Sequence, residues 1–333
     1  MKMKKQLIKS KYELTELVSE DIISFCYVGK THYLEHPLII WEYKAEYLTS
    51  ALVTRLINVS EKLVSLSHSA ALKMIDYHYD GRSFFTIHEG VSHFVTLDTY
   101  IKQSKTVDLK GLWNFSTVVL NYLLELEQNH LICGSINFSN IIITDKKELK
   151  FSRTTIPLEI YKTFWEEFTV IEDCIFLSPE FILNTEFKSS SDMYAFGVLL
   201  YVFFSQKWPY KYSIKIDQMK KSIIDGPKEF SPVHLKIPDQ LGRIIEVCLS
   251  PDPENRFRSF VELIKVYKGD SQFNLELGTD YSPIKSQLKT VIKEKKQSRF
   301  TAILKGFSIV FSFVLFFFIL QSLYFRYIKA IPE

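Results

Sequence analysis

Cysteine is sparse in this sequence of 333 residues: Cys26, Cys133, Cys174 and Cys248 are widely scattered, with no C-x-x-C pair. That spacing argues against a zinc site or a disulfide framework and fits a reducing compartment. Charge of one sign is also lacking. A formal net charge of +3 gives no global argument for nucleic acid as a partner. No N-terminal signal is visible either: residues 1–5 are basic, but no uninterrupted apolar run of signal-peptide length follows them, so the folded part is expected to be cytosolic. What the chain does have is apolar residues, 47% of the total, enough to bury one large core or two lobes.

Along the chain, residues 1–18 are Lys-rich, a lead-in strand or helix. Runs of strand type cover 22–28 and 38–43, split by the turn-like Gly29-Lys30-Thr31-His32. Helical periodicity covers 47–66, with Leu48, Leu52, Leu56, Val59, Leu63 and Leu66 on its apolar side. A hairpin is predicted from 74–79 to 83–88 around Asp80-Gly81, and Glu89-Gly90-Val91 would then be a hinge. The period returns to 3.6 over 97–101 and 109–131. His130, at the end of that run, reads as a packed or capping side chain. The run 193–204 is apolar nearly all round, the pattern of a helix inside a domain. Ser191 or Asp192 is suited to begin it, and Pro209 forbids its continuation.

Several stretches share one register. Ser178-Pro179-Glu180, Ser191-Asp192-Met193-Tyr194-Ala195-Phe196-Gly197 and Trp208-Pro209-Tyr210 resemble the protein-kinase segment that runs from A-P-E into a central helix. Cys133-Gly134-Ser135-Ile136-Asn137-Phe138-Ser139-Asn140 resembles the catalytic loop H-R-D-L-x-x-x-N, including the spacing from position 135 to Asn140. Lys150-Phe151-Ser152-Arg153 falls where the family has the run into D-F-G, and Cys248 to Phe257 resembles C-L-x-x-D-P-x-x-R-P. The resemblance implies an α+β, two-lobed protein-kinase-like fold, with a β-rich lobe over 12–90 and a helical lobe over 91–268. It further implies a buried ion pair between Glu180 and Arg256, with Asp192 as a structural residue of the central helix.

The same register marks departures. No G-x-G-x-x-G turn joins the first strands; Glu20-Asp21-Ile22-Ile23-Ser24 stands there, and two acids would repel a triphosphate. Lys44 is the candidate for the nucleotide-binding lysine of V-A-I-K, and it equally suits a solvated strand end. Glu61 could partner it. Ser135 replaces the aspartate that accepts the substrate proton, and a hydroxyl is too weak a base to take its place. Arg153 replaces the aspartate that binds magnesium, and a guanidinium cannot ligate a cation. Asn140 is kept. A degenerate kinase, or pseudokinase, is the expectation, acting as a signalling scaffold or regulatory binding module with protein partners. The resemblance settles no cofactor: ATP through Lys44 and Arg153 is an open alternative, Arg153 speaks against Mg²⁺ binding, and no metal site is read. An unorthodox Ser/Thr kinase using Lys44, Asn140 and an acid such as Asp145 or Asp173 is the rival reading. Between Arg153 and Ser178 the segment is rich in aromatics, and Thr154 and Thr155 are candidates for phosphorylation.

Beyond 268 the pattern reads as a basic linker, and residues 306–325 contain no charge. That length matches a hydrocarbon core of about 30 Å. The expectation is a C-terminal transmembrane helix over 306–325 with a short tail, making a single-pass membrane protein whose kinase-like domain is cytoplasmic.

Overall fold

In the computed structural model the described residues are 7–31, 37–91, 93–103, 109–164, 175–184, 186–230 and 239–268. Strands β1 (Leu7–Ile8), β2 (Tyr12–Glu20), β3 (Ser24–Thr31), β4 (Pro37–Tyr43), β5 (Met74–Tyr79) and β6 (Phe84–Glu89) form one sheet. Their order is β1-β2-β3-β4-β6-β5, with antiparallel neighbours throughout. The predicted hairpin is β5–β6: the Asp80 carboxylate accepts the Arg82 and Ser83 N–H groups, and Gly81 supplies the positive φ that the turn requires.

Helix α1 (Ser50–Ser65) lies between β4 and β5 in sequence and packs against β5. The Thr49 hydroxyl accepts the Leu52 N–H at its start, and Leu52, Leu56 and Leu63 make up its buried stripe. The strand expected over 22–28 begins two residues later. Ile23 is instead tucked, fully buried, into the turn between β2 and β3.

A second sheet joins β7 (Phe94–Thr96), β8 (Ile141–Thr144) and β9 (Leu149–Phe151). The other helices are α2 (Leu97–Gln103), α3 (Leu109–Gln128), α4 (Ile156–Phe164), α5 (Pro179–Asn184), α6 (Ser189–Ser205), α7 (Ile216–Ile224), α8 (Asp239–Cys248) and α9 (Phe260–Tyr267). His130, just past α3, takes the left-handed conformation of a helix C-terminus (φ 54°).

Helix α6 is buried on nearly every side and contacts α3 and α8. Gly197 permits the α8 approach: a Cβ there would lie 2.6 Å from the Cys248 Cβ. The helix starts at Ser189, earlier than the sequence suggests. The Ser191 hydroxyl turns back to accept the Lys188 N–H, and it donates to Glu180 Oε1 at 2.6 Å.

Glu180 and Arg256 meet in a two-pronged ion pair, with both N···O distances 2.8 Å. The guanidinium also donates to the carbonyls of Ser250 and Ser190 and lies over the Tyr194 ring. Burial opposes the Glu180 charge, but Arg256 and Ser191 outweigh it and hold its pKa below the usual value. The pair ties α5 to the N-terminus of α6 and to the loop before α9.

The expected fold class and localisation need one correction. Among the described residues no helix is long and apolar enough to cross a membrane, and residues 306–325 lie outside them. The transmembrane helix and the single-pass placement with a cytoplasmic domain are therefore withdrawn. The uncharged run was a statement about hydropathy alone.

Two outcomes follow. Arg256→Ala strands the buried Glu180 charge and should cost about 3–5 kcal/mol in denaturant unfolding; an unchanged midpoint would contradict this. His88, on β6, is buried between the Leu72 carbonyl and the Thr86 hydroxyl, and burial lowers its pKa to about 4 from 6.5. A depressed histidine stabilises the fold above its unfolded pKa, and that contribution fades as pH falls toward the folded value. Relative to His88→Leu, the wild type should therefore lose up to about 3 kcal/mol between pH 6.5 and 4. Parallel stability–pH curves for the two proteins would refute it.

Candidate functional site

The site lies where the turn between β2 and β3 meets the ends of β8 and β9. Each part is fixed locally. In the turn, Asp21 Oδ1 accepts the N–H groups of Ile23 and Ser24 and the Ser24 hydroxyl, while the Asp21 N–H bonds the Ser24 carbonyl. The side chain thus imitates a backbone turn and closes the hairpin without glycine. Opposite it, the loop 133–140 is held from below by Asp192. That carboxylate, on α6, accepts the Cys133 and Gly134 N–H groups at 2.7 and 2.8 Å. Burial pushes the Asp192 carboxyl up to about 7, against those two hydrogen bonds.

Arg153, two residues after β9, occupies the centre and is buried. Its Nε donates to Asn140 Oδ1 at 2.9 Å, its Nη1 to the Ser24 hydroxyl at 2.6 Å, and its Nη2 to Asp21 Oδ2. The guanidinium carbon lies 4.1 Å from the centroid of the Trp41 ring. Burial works against the Asp21 carboxylate, but the Arg153 charge and the Ser24 donors prevail and hold its pKa below the usual value. Arg153 in turn stays protonated: burial disfavours its charge, and Asp21 more than compensates.

Ser135 is equally committed. Its hydroxyl donates to the Arg153 carbonyl at 3.0 Å, and its own carbonyl accepts the Asn140 amide at 3.1 Å. Asn140 therefore bridges the loop and the arginine. Gly134 has φ +59°, and a Cβ there would come within 2.4 Å of Leu158, so its lack of a side chain lets α4 pack on the loop. Thr154 and Thr155, the phosphorylation candidates, are buried. Their hydroxyls bond the Tyr122 hydroxyl and the Ile132 carbonyl. Helix α4 then turns back to α1, where Arg55 meets Glu159 at 3.3 Å and Thr163 at 3.0 Å.

Lys44 stands apart. Its Nζ is 2.8 Å from Glu20 and lies over the Phe25 ring. With the two-residue alternation of β4, Trp41 faces Arg153 and Lys44 belongs to the opposite face, with Phe25. Glu61 bonds the Tyr77 hydroxyl rather than a lysine. Asp145 lies in the turn between β8 and β9, and Asp173 is outside the described residues.

The structure thus brings together Ser135, Asn140 and Arg153, sets Asp192 beneath them, keeps Glu180 and Arg256 apart as a structural pair, and leaves Lys44 outside. Sequence reasoning missed Asp21, Ser24 and Trp41. Trp41 had a signal: against V-A-I-K, Leu38-Ile39-Ile40-Trp41 puts the indole in the fourth position. Asp21 was noted only as a repulsive neighbour of a phosphate.

The magnesium and nucleotide implied by such a cleft do not fit this donor set. Mg²⁺ requires hard oxygen ligands, whereas Asn140 Oδ1 and both Asp21 oxygens are engaged by Arg153 and the turn. The cavity that Arg153 lines with His88, Tyr122 and Phe151 measures about 20 Å³, and one under Ser135, Asn137 and Asp192 about 30 Å³. Each has room for water and little more. Among the described residues no cluster of His, Cys, Asp or Glu could hold a metal ion.

The comparisons bear on the fold. The family model for protein tyrosine and serine/threonine kinases matches residues 29–266. A probable serine/threonine-protein kinase of Clostridium acetobutylicum is 24% identical over 200 residues, 60% of this chain and 30% of the relative. A probable serine/threonine-protein kinase of Clostridium perfringens is 21% identical over 261 residues, 78% of this chain and 38% of the relative. The serine/threonine-protein kinase PknD of Chlamydia pneumoniae is 32% identical over 171 residues, 50% of this chain and 16% of the relative. The matched part is thus well under half of each relative's length. With a β-rich N-terminal sheet, a helical part built on α6 and a family match over most of its length, the chain belongs to the protein tyrosine and serine/threonine kinase family.

Proposed function

We propose that this kinase-family domain is a pseudokinase: a regulatory binding module that presents a kinase-shaped surface to protein partners in signalling and does not transfer phosphoryl groups. The observation that carries the reading is the buried Arg153 guanidinium, locked between Asn140 and Asp21 where the family register calls for a metal-binding aspartate. Phosphoryl transfer depends on neutralising the charge that develops on the phosphate oxygens and on orienting the attacking hydroxyl. Here the cation is already paired with an internal carboxylate, and the hydroxyl at the base position is spent on a backbone carbonyl. The packing devices, by contrast, are intact in Asp192, Glu180 and Arg256.

One observation favours the rival, an unorthodox kinase. A carboxylate does enter the cleft, since Asp21 reaches Arg153. To serve a metal it would have to leave a buried cation and give up the turn that it closes, so we prefer the non-transferring reading.

The full chain should incorporate no radiolabelled phosphate from MgATP into itself or a generic acceptor above background, and MgATP should not shift its melting temperature. Transfer that disappears in Asn140→Ala would overturn the pseudokinase reading. Transfer that disappears in Asp21→Asn as well would make Asp21 the missing acid.

A further inference from the structure

The Arg153 cluster joins two parts of the molecule that are otherwise separate in sequence. Asp21 and Ser24 sit at the tip of the β2–β3 hairpin, on the six-stranded sheet. Asn140 and Arg153 flank β8 and β9 of the other sheet, and Asp21 and Arg153 are 132 residues apart. The charges are complementary, the Arg153 side chain is buried and that of Asp21 half-buried, and the Trp41 ring lies against the guanidinium from the β4 side.

We propose that Asp21, Ser24, Arg153 and Asn140 form an internal clamp: the hairpin carboxylate takes the place of an anionic ligand and holds the hairpin down on the catalytic loop without any nucleotide. The anion that this cleft recognises is supplied by the chain itself. Three features point the same way. The hairpin tip is shaped by Asp21 Oδ1, which leaves Oδ2 free to face the arginine. Ile23 is fully buried beneath the turn, and its carbonyl accepts the Lys44 N–H at 2.9 Å, so the tip is anchored to β4 as well. Asn140 receives Arg153 from one side and bonds the Ser135 carbonyl from the other, which passes the constraint into the loop. The clamp rests on the non-transferring reading and deepens it, because a domain that turned over MgATP would have to admit the nucleotide to this cleft.

Amide hydrogen exchange on the full chain tests it. In the wild type, peptides covering residues 20–31 and 133–143 should be protected, and adding MgATP should leave that protection unchanged. Asp21→Asn keeps an acceptor for the turn but removes the charge, so it should raise exchange in both peptides about tenfold while the β5–β6 hairpin stays as it was. Arg153→Gln should do the same, and the double variant should be no worse than either single change, as expected when two groups act through one contact. Unchanged exchange in Asp21→Asn, additive effects in the double variant, or further protection of the wild-type hairpin by MgATP would each overturn the clamp. Should Arg153→Gln fail to fold, Asp21→Asn decides the matter: its exchange is read without nucleotide, so unchanged exchange there sinks the clamp even where no phosphate is transferred.

Discussion

A guanidinium removed from water must find its acceptors inside the protein, and the arrangement around Arg153 answers that demand. An isolated buried charge is costly, and a buried pair is tolerated only when its remaining donors are also satisfied. Arg153 has a carboxylate, an amide oxygen, a hydroxyl and an aromatic face. The four partners come from three elements: Asp21 and Ser24 from the hairpin turn, Trp41 from β4, Asn140 from the end of the loop 133–140. The first sheet and the second are thereby referred to one point. The same residue spends the Ser135 hydroxyl through its carbonyl, so the chemistry at both altered positions is linked by a single side chain and its backbone.

Much of the scaffold could be read from residues alone because its signals are local. The all-round apolar run 193–204 could only be an interior helix, and α6 is buried as that pattern requires. Asp80-Gly81 between two aromatic-rich runs specified a hairpin, since few other residues accept the backbone of that turn. The register from Ser135 through Asn140 to Arg153 placed three side chains that the fold brings together. Lys44 was misleading because its place near a strand end resembled a motif, while the face it occupies is set by counting alternate residues from Trp41. Asp21 was visible, but its meaning was not. Which distant cation an acid meets is decided by how the sheets come together, and no spacing within the chain encodes that. Hydropathy was the weakest guide at the C-terminal end, where a count of uncharged residues stood in for a structure.

A division of labour runs through the molecule. The Glu180–Arg256 pair and the Asp192 carboxylate hold α5, α6, the loop before α9 and the loop 133–140 in their relative places. Helix α4 continues the same tendency. It leaves Arg153 through two threonines whose hydroxyls are consumed by Tyr122 and Ile132, crosses the glycine-sized gap at Gly134 and ends against α1. Polar groups that would have to be loose for a cleft to open are tied down one after another.

The pairing of Asp21 with Arg153 limits which single substitutions the cleft can bear. Aspartate in place of Arg153 would set two carboxylates against each other across the cleft, where like charges disfavour each other's ionisation. Loss of the acid at 21 would leave a guanidinium stranded in the interior. Either residue changed alone would thus leave a charge without its partner, and the two positions are coupled through one contact.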